Sequence, residues 1–244
     1  MPDAVIAAKR AGFDAVECHW PQGARPEDVA AALRQTGLRM LGINTKRGDV
    51  TKGDNGIAAQ VGRQDEARDL IDQAIAYAGL IDASNIHVMA GNSDKGAQAQ
   101  QTFADNLRYA TRQAAKLGKT ILIEPLNIYD APNYHLSSLD GARAVIQTVC
   151  EPNLKIMFDC YHMQIMGGDL LRRFKLASAD IGHVQFAGVP DRNEPDQGEV
   201  DYVWLLNELK EAGYKGFFGA EYKPAGTPEA SLGWMRSFSA DRLS

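Results

Sequence analysis

Residues 103–127, FADNLRYATRQAAKLGKTILIEPLN, carry the fold in miniature. Phe103, Leu107, Ala110, Ala114 and Leu117 follow one another at spacings of 4, 3, 4 and 3, which draws one apolar stripe down a helix. The run from Thr120 to Asn127 then opens on consecutive apolar residues, the pattern of a strand buried on both faces. The same alternation recurs along the chain. Further strands are expected at Asp14 to Trp20, Arg39 to Thr45, Asn85 to Gly91, Leu154 to His162, Ile181 to Gly188 and Gly216 to Lys223. Helical pieces stand at both ends, Val5 to Arg10 and from Pro228 onward, and Tyr202, Leu205, Leu206 and Leu209 form another stripe that stops at Gly213, a C′ glycine. A helix followed by seven βα repeats predicts an α/β protein with a parallel sheet. An eighth strand at the front would complete a (β/α)8 TIM barrel, so the expectation is a single barrel domain over residues 1–244 with its first β-strand missing. An open doubly wound sheet is the alternative, but no glycine-rich phosphate turn follows the first strand and no linker marks a second domain.

Composition narrows the function. The 244 residues are 45% hydrophobic and 23% charged, the profile of an ordinary globular protein. With 26 basic against 31 acidic residues the net charge is −5, which argues against nucleic acid or an anionic membrane as partner. The longest apolar stretch, around Ala74 to Ile81, is far short of the ~20 residues that span a bilayer, and the start lacks the order of a signal peptide. A cytoplasmic protein is expected. Cys18, Cys150 and Cys160 make neither a disulfide framework nor a zinc site and read as small buried apolar residues. Two long connections, Lys46 to Gln64 and Val189 to Val200, follow strands, where binding loops of a barrel lie.

The chemistry is expected at strand ends. ILIE ends at Glu124, IMFD at Asp159, HVQ at Gln185 and FGAE at Glu221, at separations of 35, 26 and 36 residues. Each gap is about one βα unit, so the four side chains would come from successive strands at one end of the sheet. Buried carboxylates brought together need a counter-charge, and a divalent cation is the economical one. Three carboxylates and an amide oxygen form a hard donor set that suits Mg²⁺ or Mn²⁺ better than zinc.

The runs IEPLN (Ile123 to Asn127), FDCYHMQIMGGDL (Phe158 to Leu170), GHVQFAGVPDRNEPDQGEVDY (Gly182 to Tyr202) and GAEYKP (Gly219 to Pro224) closely resemble the hydroxypyruvate isomerase family, which lies within the xylose-isomerase-like TIM barrels and includes the 2-oxo-tetronate isomerases. The resemblance covers nearly the whole chain. It implies that Glu124 and Glu221 are the catalytic acid/base pair and that these two, with Asp159 and Gln185, hold the metal. Many broader relatives carry His where this chain has Gln185, and the exchange agrees with magnesium. Family members begin with a strand and loop ahead of the helix at Val5, so the first stave is expected upstream of Met1 or absent.

Weaker candidates surround this set. His162, three residues after Asp159, could hydrogen-bond a substrate hydroxyl. His87 could line the pocket, while His183 reads as packing behind Gln185. A substrate carboxylate needs a cation, for which Arg192, Lys223 and Arg63 are candidates, with Glu194 and Glu199 as competing partners for Arg192. Trp20, Trp204 and Trp234 read as packing. The resemblance thus implies an isomerase of small hydroxy-keto acids, with hydroxypyruvate and tartronate semialdehyde as the first substrate pair. A four-carbon oxo-acid, an epimerisation at the same site, or a binding protein on a truncated barrel are the alternatives; a phosphodiester-cleaving enzyme would want more His and a basic groove. Oligomeric state stays open at this level.

Overall fold

The computed structural model describes residues 1–238. The chain forms two compact units, Met1–Ile156 and the residues from Met157 onward. In the first, helices and strands alternate as α1 (Pro2–Ala11), β1 (Ala15–Cys18), α2 (Pro26–Thr36), β2 (Arg39–Asn44), α3 (Gln64–Leu80), β3 (Asn85–His87), α4 (Ala97–Ala115), β4 (Thr120–Ile123), α5 (Leu139–Val149) and the start of β5 (Leu154–Asp159). Neighbours in sequence are neighbours in the sheet. Ala15 pairs with Arg39, Ile43 with Ile86, Ile86 with Ile121 and Ile121 with Leu154, all in parallel. The second unit continues from the end of β5 through α6 (Cys160–Gly167), α7 (Leu170–Ala177), β6 (Ile181–Phe186), α8 (Tyr202–Glu211), β7 (Phe218–Ala220) and a 3-10 segment, Glu229–Phe238. There β6 and β7 are parallel, with Val184 opposite Phe218. Parallel strands in chain order with helical crossovers are the (β/α) arrangement expected from the sequence.

The helical stripe at 103–117 packs as its spacing dictates. Phe103, Leu107, Ala110 and Ala114 have no exposed surface, whereas Leu117 lies beyond the end of α4 and is half exposed. Burying each large member contributes about 1.5–3 kcal/mol. In α8, Tyr202, Leu205, Leu206 and Leu209 are buried and Gly213 follows with φ of 101°.

Several strands are shorter than their apolar runs. β4 stops at Ile123 because Pro125, which has no N–H, cannot extend a ladder. The run expected as a strand to His162 becomes helix α6 after Asp159, whose extended backbone and side chain cap it: Oδ1 accepts from the Tyr161 N–H at 2.9 Å. β1, β3 and β7 keep only three or four residues each. The opening helix is longer than its apolar core suggested, since Pro2 suits a first helical turn, and the closing segment is 3-10 rather than α.

The loop from Lys46 to Gln64 is organised by Asp54, which is 7% exposed. Its carboxylate accepts from the Asp49 N–H, Gln60 and Arg63, the last at 2.9 Å to both oxygens. Gly56, at φ of 94°, is required here: a Cβ would meet the Met89 carbonyl oxygen. Arg63 also pairs with Glu66 in the first turn of α3, so its guanidinium is committed to Asp54 and Glu66.

Three packing expectations need correction. Trp204 is 54% exposed because it lies off the α8 stripe, although Trp234 is buried and Trp20 stacks edge-on against Tyr77. Cys160 is buried, Cys18 only half-buried, and Cys150 exposed at the left-handed C-cap of α5, where solvent surrounds the helix end. No helix among the described residues is long and apolar enough to cross a membrane.

Candidate functional site

The second unit assembles three of the expected residues, Asp159, His162 and Glu221, around the guanidinium of a fourth, Arg192. Asp159 ends β5 with its side chain 1% exposed, and Glu221 follows β7. Arg192 comes from the long loop after β6, where its backbone takes a left-handed φ of 59°, unusual for a residue with a Cβ. One of its terminal nitrogens, Nη2, donates to Glu221 Oε2 at 2.7 Å and to Asp159 Oδ2 at 3.3 Å. Its Nε donates to the Glu221 carbonyl at 3.3 Å, and its own carbonyl accepts from the Lys223 N–H at 2.7 Å. The guanidinium lies over the Tyr161 ring, 4.9 Å from its centre, so its plane is fixed by stacking as well as by hydrogen bonds. Glu194 and Glu199 take other partners: Glu194 accepts from the Ala225 N–H and Glu199 from Gln164.

His162 projects from the first turn of α6 and is 1% exposed. Its Nε2 lies 3.6 Å from Asp159 Oδ2 and 3.4 Å from the other terminal nitrogen of Arg192. Gln185, 5% exposed, stands opposite Gly219 in the β6–β7 register, and the Glu221 N–H donates to the Phe186 carbonyl at 3.2 Å. Alternation along β7 therefore places Glu221 on the same face as Gly219, beside Gln185. His183 is buried two residues before Gln185, as packing required. Lys223 is exposed and meets Arg192 through its backbone.

The loop that carries Arg192 is closely packed. Tyr161, Ala187 and Val189 form a buried cluster with Ile165, Val200 and Tyr222 against it. Gly198, at φ of 99°, leaves room for the Val189 carbonyl, which a side chain would overlap. The buried Tyr202 hydroxyl donates to the Ala187 carbonyl at 2.7 Å, and burial first, then nearby acidic groups including Asp159, push its pKa upward.

Glu124 and His87 belong to the first unit. Glu124 is the residue after β4, 6% exposed, with Oε2 3.7 Å from His87 Nδ1 at the end of β3. That approach is not an ion pair at neutral pH: burial pulls the His87 pKa down to about 3, so the imidazole is uncharged. Tyr134, fully buried, accepts from the Ala90 N–H at 2.9 Å; burial and then the Glu124 charge raise its pKa. The sequence reading did not single out Tyr134 or Tyr161. The only signal for Tyr161 was its place between Asp159 and His162, and Tyr134 carried none.

Within the second unit the donor chemistry fits a hard divalent cation. Asp159 and Glu221 reach a common nitrogen, so their oxygens already converge on one positive charge, and an amide oxygen stands on the adjoining strand. Arg192 occupies the position of the counter-charge that the carboxylates require.

The family described as xylose isomerase-like TIM barrel matches residues 5–238. The 2-oxo-tetronate isomerase of Cupriavidus necator is 41% identical over 240 residues, covering 97% of this chain and 92% of its own. The hydroxypyruvate isomerase of Escherichia coli (strain K12) is 37% identical over 231 residues, covering 93% and 90%. A crystal structure described as AP endonuclease, family 2, from Brucella melitensis superposes with a TM-score of 0.93 at 37% identity, over 97% of this chain and 93% of that one.

Proposed function

The chain belongs to the xylose isomerase-like TIM barrel family, and from that premise we propose that it is an isomerase of small hydroxy-keto acids, interconverting hydroxypyruvate and tartronate semialdehyde. The observation that carries this reading is that relatives named hydroxypyruvate isomerase and 2-oxo-tetronate isomerase align with more than nine-tenths of the chain. We assign the proton transfers to Glu124 and Glu221. One carboxylate removes a proton from C3 of hydroxypyruvate, an enediol forms, and a proton returned at C2 leaves the aldehyde at C3. Glu124, Asp159, Gln185 and Glu221 would hold one Mg²⁺ or Mn²⁺. Such an ion supplies polarisation of the substrate oxygens, which acidifies the C–H between them.

Arg192 and His162 then have defined tasks in this reading. Arg192 carries the positive charge suited to the substrate carboxylate, and His162 the ring nitrogen suited to a hydroxyl. His87, beside Glu124, and Lys223, after β7, complete the proposed substrate contacts. The neutral state of His87 allows it to hydrogen-bond without adding charge. A cytoplasmic location belongs to the same proposal.

The Brucella structure's description brings phosphodiester cleavage forward as a second reading. A net charge of −5 and five His in the chain speak against a polyanionic substrate. The two readings part in one experiment. Purified protein with Mg²⁺ is incubated with hydroxypyruvate, with a four-carbon 2-oxo acid and with a duplex containing an abasic site. Isomerised keto acid and an intact duplex are expected; strand cleavage without keto-acid conversion would replace the isomerase reading.

A further inference from the structure

A second charged cleft lies on helices α3 and α4 of the first unit. It has a volume of about 430 Å³ and is lined by Arg68 of α3 and by Asp105, Arg108, Tyr109, Arg112 and Gln113 of α4. Three guanidinium groups and one carboxylate line it, and two further carboxylates, Asp72 and Glu151, bond to its lining residues Tyr109 and Arg112.

The partners of these groups are unevenly distributed. Arg108 is spent, giving one terminal nitrogen to Asp105 at 2.7 Å and the other to the Thr148 carbonyl at 2.7 Å. Arg112 uses only its Nε, on Glu151 at 2.9 Å, which leaves its terminal fork toward solvent. Arg68 has no hydrogen bond or ion pair among the described residues, and its Nε is buried without an acceptor. It is nonetheless held in place. Its guanidinium carbon sits 5.2 Å from the centre of the Tyr109 ring, and that ring is anchored by its hydroxyl donating to Asp72 Oδ2 at 2.6 Å.

A buried donor with no acceptor is disfavoured unless something supplies one. Here the donor is charged, pre-oriented by an aromatic shelf and set beside a second open fork. A planar carboxylate would satisfy one fork, whereas a tetrahedral dianion offers oxygens to both. An extended nucleic-acid backbone would need a longer basic track than these two residues provide. We propose that the Arg68–Arg112 cleft binds a small doubly charged oxyanion of the phosphate type, either free or as the terminal group of a phosphorylated metabolite.

The test is calorimetric titration of the full chain with inorganic phosphate at constant ionic strength, in the presence of chelator so that no metal competes for it. Saturable one-to-one binding is expected. Arg68→Met, which replaces the guanidinium with an unbranched apolar side chain, and Arg112→Gln should each weaken it about tenfold, the loss of one charge-assisted pair. Glycerol 3-phosphate serves as the second probe. Tighter binding than phosphate marks a metabolite headgroup as the occupant, and weaker binding marks the free ion. Each variant is first checked for wild-type melting temperature. Absence of saturable binding in wild type, or equal affinity in wild type and both variants, would overturn the assignment.

Discussion

Replacing Arg192 with methionine removes the charge beside Asp159 and Glu221, and with it the guanidinium over the Tyr161 ring, while keeping an unbranched apolar side chain. A hydrogen bond to a charged group is worth about 1.5–3 kcal/mol net. The share with Glu221 must be discounted, because that side chain is 35% exposed and solvent screens it. The share with Asp159 stands nearly in full, since removing the cation leaves a carboxylate at 1% exposure with less compensation. Together these give a loss of about 2–4 kcal/mol, or roughly 4–16 °C in melting temperature for a chain of this size. A divalent ion at the same carboxylates would offset that loss, adding about 2.7 kcal/mol at a hundredfold excess over its Kd. It would also bind the variant more tightly, because no guanidinium has to give up the ligands first. Thermal melts of wild type and Arg192→Met, each in chelator and in excess Mg²⁺, measure both effects. The variant should melt lower in chelator and gain more from Mg²⁺ than wild type. Equal melting in chelator, or equal gains, would refute the idea that Arg192 and a metal share these carboxylates.

Other outcomes follow from the same geometry. His87 has a folded pKa of about 3 against an ordinary 6.5, so the unfolded chain binds the extra proton. Its contribution to stability is complete above pH 6.5 and is lost as pH falls toward 3, at up to about 1.4 kcal/mol per pH unit. Urea titrations near pH 5 should therefore show a flatter pH dependence in His87→Gln; identical slopes would contradict a buried neutral imidazole. Asp159→Asn preserves the cap on α6 but trades a charged ligand for a neutral one, so Mg²⁺ affinity should fall with little change in helix content by circular dichroism. Glu124→Gln and Glu221→Gln should each lower turnover by roughly 10²–10⁴-fold, the usual loss on removing a positioned acid or base, and wild-type turnover in either folded variant would count against its assigned role.

How much of this was legible in the sequence depends on distance along the chain. The stripe at 103–114 and the strand after it were readable because both periods are local. Strand ends were less so: Pro125 and the capping side chain of Asp159 stop β4 and β5 inside runs whose apolar character continues. Trp204 and Cys150 misled because residue type was allowed to stand for burial, while position off the α8 stripe and at a helix terminus decides it. At the site, the need for a counter-charge was legible from clustered carboxylates. That Arg192 supplies one was hidden, because its contacts reach 29 and 33 residues and depend on a left-handed backbone within a loop. Sequence patterning shows which residues end strands, but not which cations fold back onto them.

Proton NMR of hydroxypyruvate in D₂O tests the central claim most directly, because the proposed route passes the C3 proton through a carboxylate that exchanges with solvent. With wild-type protein and Mg²⁺, the C3 proton signal should decay as tartronate semialdehyde accumulates, and chelator should stop both changes. Unchanged spectra with folded, metal-loaded protein would contradict the isomerase account, and conversion undiminished in thoroughly metal-stripped protein would contradict its metal-assisted form.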